Sequence, residues 1–177
     1  HHVHSFDSFY GLPENWREMV DNQRRHRTDS LGKGAFSRNG RPPYRDGPGT
    51  NITWHVGLFN STVPVFMRQT QELIRFVHVD CDLYSSSNMV LRAIENRLAP
   101  GAILAFDELI NYPEFEHGEM KALIELMLRT KRPIQVIGTA ATLVARNYVQ
   151  SKTEMERSGE FFALRRGYWQ NALVRLL

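Results

Sequence analysis

Two apolar runs that each end on acidic residues constrain the fold of this chain more than any other feature of its sequence. The runs cover residues 76–79 and 102–106, and the helix-length segment 85–98 lies between them. This order predicts two parallel strands joined by a crossover helix. The strands would bring four carboxylates to one edge of a sheet, where α/β folds bind their ligands. These carboxylates are Asp80, Asp82, Asp107 and Glu108.

The rest of the chain continues this alternation of strands and helices. Apolar periodicity predicts further strands at residues 3–6, 52–56 and 134–137, and helices at residues 63–73, 116–128 and 168–177. We therefore predict an α/β fold, with a mainly parallel sheet and helices on both faces, in a single domain over residues 1–177. Residues 24–50 are rich in Gly, Pro, Arg and Asn, which indicates a long loop.

Length and composition bear on the partners that we expect. The chain has 177 residues, of which 42% are hydrophobic, and this suits one domain with a sizeable core. The net charge is only +3, and the densest basic run, residues 24–27, lacks interleaved aromatics, so we expect no nucleic-acid partner. No apolar run approaches the roughly 20 residues that span a bilayer, so we expect no membrane partner. The lone cysteine, Cys81, favours a reducing compartment, and we predict a cytoplasmic protein.

The carboxylates at the two strand ends favour a divalent cation as their ligand. Asp80, Asp107 and Glu108 would repel one another unless a cation or a proton intervenes, and Mg²⁺ prefers such oxygens. Asp82 lies two residues beyond Asp80, so both side chains point the same way if the backbone is still extended. One of them could then bind metal while the other takes a proton. The alternative is that these acids cap the following helices and face water.

Asp7 and Cys81 also bear on function. Asp7 ends the first predicted strand, where nucleotide-binding α/β folds hydrogen-bond a ribose. The alternative for Asp7 is a cap of the turn that leads into Ser8. Cys81 is flanked by carboxylates, which should raise the pKa of its thiol and disfavour a nucleophilic role.

Several segments between residues 3 and 125 form an ordered set. They are Phe6-Asp7-Ser8-Phe9-Tyr10-Gly11-Leu12-Pro13-Glu14, Lys33-Gly34-Ala35-Phe36, Gly57-Leu58-Phe59 with Thr62-Val63-Pro64, His78-Val79-Asp80-Cys81-Asp82-Leu83-Tyr84-Ser85-Ser86, and Phe106-Asp107-Glu108 with Asn111-Tyr112-Pro113. In this order and spacing they resemble the macrocin O-methyltransferase family. Its members are class I S-adenosylmethionine-dependent methyltransferases that modify hydroxyl groups of sugars or phenols in natural products.

This resemblance implies a Rossmann-like seven-stranded sheet, S-adenosylmethionine as methyl donor, Mg²⁺ or a similar divalent cation, and a small-molecule hydroxyl acceptor. It implies Asp80, Asp107 and Glu108 as metal ligands and Asp82 as the general base. In the family's pattern Asp7 binds the cofactor ribose, and the Gly57-Leu58 turn lies near the adenine. The cofactor-binding residues that the resemblance implies are Asp7, Ser8, Gly57, Leu58 and Asp80.

The sequence departs from the family's pattern before Asp7. The family's first strand and glycine-rich cofactor turn should precede that residue by about 20 positions, and this sequence has no such segment. Because that strand is central in the family's sheet, we expect a truncated class I methyltransferase fold, an N-terminally incomplete domain. Such a domain should bind the cofactor poorly, and we expect it to form a homo-oligomer through its open strand edges.

Two other functions remain compatible with the sequence. A metal-dependent glycosyltransferase could use Asp80-Cys81-Asp82 to hold a divalent ion on a nucleotide-sugar diphosphate, although the acidic pair Asp107-Glu108 and the segment 6–14 favour the methyltransferase. A non-catalytic module is the other alternative, and the missing glycine-rich turn is its main support. A dehydrogenase is disfavoured because the chain lacks a dinucleotide-binding fingerprint.

Overall fold

The computed structural model describes residues 2–16, 32–43, 51–110, 115–139 and 170–177. The chain divides into two compact units, His1–Thr70 and Gln71–Leu177. No helix within the described ranges is long and apolar enough to cross a membrane. The basic run at residues 24–27 lies outside the described residues, as do the segment 111–113 and much of the predicted loop 24–50.

The first unit is built on two parallel strands, β1 (Val3–Asp7) and β2 (Ile52–Val56). Both were predicted from apolar alternation, and β2 has the predicted bounds. The strands pair in register, with Asp7 opposite Val56, so they end at the same edge. Helix α1 (Phe59–Gln69) follows β2 after a turn at Gly57.

Helix α1 begins four residues earlier than the sequence predicts. The prediction placed its start at Val63-Pro64, because proline favours the first turn of a helix. In the structure the hydroxyl groups of Ser61 and Thr62 donate hydrogen bonds to the carbonyl oxygen of Leu58, at 2.8 and 3.1 Å. These bonds close the first turn before the proline, which then lies inside the helix.

The second unit contains a four-stranded sheet in the order β3-β4-β6-β5. Its strands are β3 (Ile74–Val79), β4 (Leu98–Phe106), β5 (Ile134–Thr139) and β6 (Ala172–Leu176). Strands β3 and β4 are parallel, whereas β6 runs antiparallel to both β4 and β5. Three of these four strands therefore share one direction, and the predicted mainly parallel α/β sheet is confirmed.

Helices α2 (Tyr84–Ile94) and α3 (Glu119–Thr130) pack against each other in the second unit. Burial of a leucine or phenylalanine side chain stabilises a fold by about 1.5–3 kcal/mol. The core therefore depends on a set of fully buried side chains from both helices and the sheet, which are Leu91, Leu104, Phe106, Leu123, Leu126, Val174 and Leu176.

Three predicted elements of this unit differ from the structure. The C-terminal segment is the strand β6 rather than a helix, since Ala172, Val174 and Leu176 are buried in a period of two. Helix α2 has no side-chain cap hydrogen bond, and it ends at Ile94, short of the predicted segment end at residue 98. Strand β4 extends back to Leu98, with a register shift against β3.

Candidate functional site

The ends of β3 and β4 lie side by side, as the sequence predicts. Val79, the last residue of β3, pairs with Phe106, the last residue of β4. The backbone N–H of Asp107 donates a hydrogen bond to the carbonyl oxygen of Val79 at 3.1 Å. The acidic segments that follow the two strands therefore leave the sheet at the same edge.

Three carboxylates converge at this edge. One oxygen each of Asp80, Asp82 and Glu108 lies within 4.8 Å of the other two. Asp80 is exposed, whereas Asp82 and Glu108 are half-buried. Asp107 is not a member of this group, and its Oδ1 accepts a hydrogen bond from the side-chain amide of Asn171 at 2.6 Å. The group thus contains two of the three predicted ligands together with the predicted base.

The backbone bends sharply at Asp82. Strand β3 has ended by this point, and the N–H of Leu83 bonds to the carbonyl oxygen of Cys81, which makes a three-residue turn centred on Asp82. The φ angle of Asp82 is +60°, a left-handed value that is strained for a residue other than glycine. The extended backbone that would align Asp80 with Asp82 is therefore absent, and the turn brings Asp82 into the group instead.

Glu108, a member of this group, carries an unsatisfied oxygen. Its Oε2 is buried and has no hydrogen-bond partner among the described residues. Burial, together with the nearby charges of Asp82, Asp107, Glu119 and Asp80, raises the pKa of Glu108 to about 8. A buried carboxylate oxygen without a donor is costly unless a proton or a cation satisfies it. The oxygen-only donor set of these carboxylates therefore fits Mg²⁺ or a similar hard cation.

Glu119, at the start of α3, is a site residue that the sequence reasoning missed. Its side chain is fully buried. Its Oε1 accepts hydrogen bonds from the N–H of Cys81 at 3.2 Å and the hydroxyl of Ser87 at 3.1 Å, and its Oε2 accepts one from the N–H of Glu108 at 3.3 Å. Burial raises the pKa of Glu119 to about 7, although these three hydrogen bonds favour the ionised form.

A signal for the burial of Glu119 is present in the sequence. The buried face of α3 consists of Glu119, Ala122, Leu123 and Leu126, which follow the i, i+3, i+4, i+7 spacing of an apolar stripe. The acid thus occupies a core position of the helix.

Cys81 is unsuited to nucleophilic chemistry. Burial raises the pKa of its thiol well above the ordinary value, and the charge of Glu119 adds to this effect. Since the thiolate is the reactive form of cysteine, the thiol should be inert at neutral pH. This agrees with the sequence prediction.

The first unit places the predicted cofactor residues at the shared end of β1 and β2. The N–H of Gly57 donates to the carbonyl oxygen of Asp7 at 2.9 Å, so the two residues are neighbours. The Oδ1 of Asp7 accepts a hydrogen bond from the N–H of Phe9 at 2.7 Å, and the Oγ of the buried Ser8 accepts one from Tyr10 at 3.1 Å. Asp7 therefore does cap its turn. Its carboxylate has more than one acceptor site, so a ribose contact stays a prediction.

Gly57 has a backbone conformation that few other residues could adopt. Its φ is +147°, and a Cβ at this position would lie 3.0 Å from the Cγ2 of Thr62. Leu58 follows as the N-cap residue of α1. This turn therefore depends on glycine for its shape. Its contact with an adenine stays a prediction.

The fold resembles two solved methyltransferase structures. No protein-family model matches the chain, and neither does any curated protein. The crystal structure of CalS11, a calicheamicin methyltransferase, matches with a TM-score of 0.51 and 23% sequence identity, over 77% of this chain and 56% of that one. The O-methyltransferase NovP matches with a TM-score of 0.50 and 18% identity, over 77% of this chain and 55% of that one. The chain thus spans about half the length of these structures, and at such identities the likeness concerns the fold.

Proposed function

We propose that this chain is the part of an S-adenosylmethionine-dependent, divalent-metal-assisted O-methyltransferase that holds the metal and the base. The acceptor in this proposal is a hydroxyl group of a sugar or phenolic small molecule. The observation that carries the proposal is the buried, unsatisfied Oε2 of Glu108, a residue with one carboxylate oxygen within 4.8 Å of an oxygen each of Asp80 and Asp82. The methyltransferase names of two proteins with this fold support the reaction class.

Asp80 and Glu108 are the proposed ligands of Mg²⁺ or a similar cation, because they belong both to the predicted ligand set and to the observed group. Asp107 remains a predicted third ligand, and Asn171 orients its carboxylate. When bound, the cation would supply Lewis acidity toward an acceptor hydroxyl. A second reason favours a cation here, since it would offset the burial and the repulsion that raise the pKa of Glu108.

Asp82 is the proposed general base. Its carboxylate would take the proton of the acceptor hydroxyl, whose oxygen would receive the methyl group that S-adenosylmethionine supplies when bound, with S-adenosylhomocysteine as the leaving group. The sharp turn at Asp82 supports this role, because strained backbone conformations cluster at functional sites.

Asp7, Ser8, Gly57 and Leu58 are the proposed contacts for the nucleoside half of the cofactor. The carboxylate of Asp7 would accept hydrogen bonds from the ribose hydroxyls, which are stronger when the acceptor is ionised. The glycine turn after β2 would allow close approach of the adenine. Asp80 is proposed to contact the cofactor as well as the metal.

A pair of calorimetric titrations tests this function against its main competitor. In the presence of Mn²⁺, S-adenosylhomocysteine should bind the chain with the low affinity expected of an incomplete cofactor site, and an Asp7→Asn variant should bind it about 10-fold more weakly still because the ionised acceptor is lost. Asparagine keeps a carbonyl oxygen that can still cap Phe9, so the turn should survive. A matched Glu72→Gln change at an exposed position of the 71–73 connection should leave the affinity unchanged.

The opposite result would assign the chain to another class. A nucleotide-sugar diphosphate that binds in a Mn²⁺-dependent manner, when S-adenosylhomocysteine does not, would identify a glycosyltransferase that uses Asp80-Cys81-Asp82. If neither compound binds, the chain by itself is a non-catalytic module and the methyltransferase proposal for it is wrong.

A further inference from the structure

Glu119 links three separate elements of the second unit through one buried carboxylate. Its donors are the N–H of Cys81 in the turn after β3, the hydroxyl of Ser87 in the first turn of α2, and the N–H of Glu108 just after β4. The helix that carries Glu119 begins 11 residues after Glu108. The side chain therefore connects segments that the local chain does not hold together.

Two of these donors belong to the backbone that carries the candidate metal ligands. Cys81 is the residue between Asp80 and Asp82, and Glu108 is itself a member of the carboxylate group. Each oxygen of Glu119 binds one of the two backbone segments. This carboxylate thus fixes the separation of the two acid-bearing turns in addition to the pairing of Val79 with Phe106.

The chemistry of the side chain at position 119 decides whether both turns keep their hydrogen bonds. A buried carboxylate is unfavourable unless it is fully hydrogen-bonded, and a leucine at the same core position would pack at less cost. Only a carboxylate, however, offers acceptors on both of its terminal atoms. An amide has one acceptor oxygen, so it can satisfy the N–H of one turn but must present its own N–H groups to the other.

We propose that Glu119 is a positioning residue that holds the two acid-bearing turns at the separation needed to bind one divalent cation. It touches neither the cation nor the substrate, and it acts through the backbone at Cys81 and Glu108. The inference deepens the proposed function, since its consequence for affinity rests on that metal site. Outer-shell partners of this kind typically change metal affinity by about 10–100-fold.

Glu119→Gln is the informative variant, and Glu125→Gln is its matched control. Both changes replace a carboxylate by an amide in the same helix. Glu125 accepts a hydrogen bond from the hydroxyl of Tyr84 in α2 and pairs with Arg129 in α3. Because glutamine keeps the size of glutamate, Glu119→Gln should fold. A Glu119→Ala variant then removes both backbone bonds at once.

The first measurement is hydrogen exchange of the Cys81 and Glu108 amides in the metal-free 177-residue chain. In Glu119→Gln one of the two amides should exchange about 10-fold faster or more while the other keeps its protection. In Glu119→Ala both should exchange faster, and in Glu125→Gln neither should change. This measurement does not depend on the chain's binding any metal.

The second measurement is the affinity for Mn²⁺, followed by the electron paramagnetic resonance signal of the free ion. Glu119→Gln should bind Mn²⁺ about 10–100-fold more weakly, and Glu125→Gln should bind it as the unsubstituted chain does. A purely structural role would lower the thermal stability of the variant without changing the affinity of its folded form.

The two measurements separate failure of this inference from failure of the proposed function. Unchanged exchange at both amides in Glu119→Ala would overturn the positioning role, and so would an unchanged Mn²⁺ affinity in Glu119→Gln when the parent chain binds the ion. If the parent chain binds no Mn²⁺, the proposed metal site is wrong and, with it, the claim that the turns are positioned for a cation.

Discussion

A Glu108→Gln chain should bind Mn²⁺ on the order of 10²-fold more weakly than the unsubstituted chain, because loss of an outer-shell partner alone costs about 10–100-fold. The change removes one carboxylate charge and leaves the amide to fill the buried position of Oε2. Isothermal titration calorimetry at neutral pH measures the difference directly. Glu116→Gln is the matched control, since Glu116 is exposed and lies outside the carboxylate group. Equal affinity of the Glu108→Gln and parent chains would remove Glu108 from the ligand set.

The same titration ranks the other acids. Asp80→Asn should weaken Mn²⁺ binding about as much as Glu108→Gln, because both acids are proposed ligands of the cation. Asp82→Asn should weaken it less, since the proposal makes Asp82 the base. Asp107→Asn tests whether Asp107, a predicted ligand outside the observed group, binds the cation. Its carboxylate already accepts a hydrogen bond from Asn171. A loss for Asp82→Asn as large as that for Glu108→Gln would reassign Asp82 as a ligand.

The edge of the sheet was predictable because it depends on strand order and on strand ends. The apolar runs before Asp80 and Asp107 predicted two parallel strands that finish together, and Val79 and Phe106 do pair. The residue at which a strand ends is a local property, which alternation and apolar composition indicate well. The presence of Asp80 and Glu108 at this edge follows from that local signal.

The features that were missed depend on turn geometry and on contacts between distant residues. Asp80 and Asp82 would point the same way only on an extended backbone, but the turn closed by Leu83 and Cys81 gives Asp82 a positive φ. No apolar pattern reports such a turn. The apolar spacing of α3 includes Glu119, but a glutamate is normally exposed, and the N–H groups of Cys81 and Glu108 that compensate its burial come from distant segments.

The C-terminal strand was predicted as a helix because its strand pairing also depends on distant residues. The segment that ends at Leu177 has few residues, and its apolar positions fit a helical period nearly as well as a period of two. Pairing with both β4 and β5 decides the matter, because Val174 has a partner on each side. A central strand of this kind is specified by its neighbours rather than by its own sequence.

The stability of the metal-free chain should fall as the pH rises from about 5 to about 8. The pKa of Glu108 in the folded chain is about 8 and that of Glu119 is about 7, both above the ordinary value of 4.5. Between these values the folded chain holds protons that the unfolded chain has released, so the free energy of unfolding decreases with pH. The stabilising contribution of both groups is complete below about pH 4.5 and is lost as the pH rises through the folded values.

Urea denaturation in EDTA at pH 5 and pH 8 measures this effect, which we expect to be roughly 2–4 kcal/mol after allowance for solvent screening of the half-buried Glu108. The Glu108→Gln chain, whose amide does not titrate, should lose much of the pH dependence, whereas Glu116→Gln should keep it. Addition of Mn²⁺ at pH 8 should stabilise the parent chain, because a cation that binds only the folded form adds to its stability. A parent chain that becomes more stable between pH 5 and pH 8, with the same slope as Glu108→Gln, would mean that Glu108 is ordinarily ionised and that its buried oxygen needs no cation.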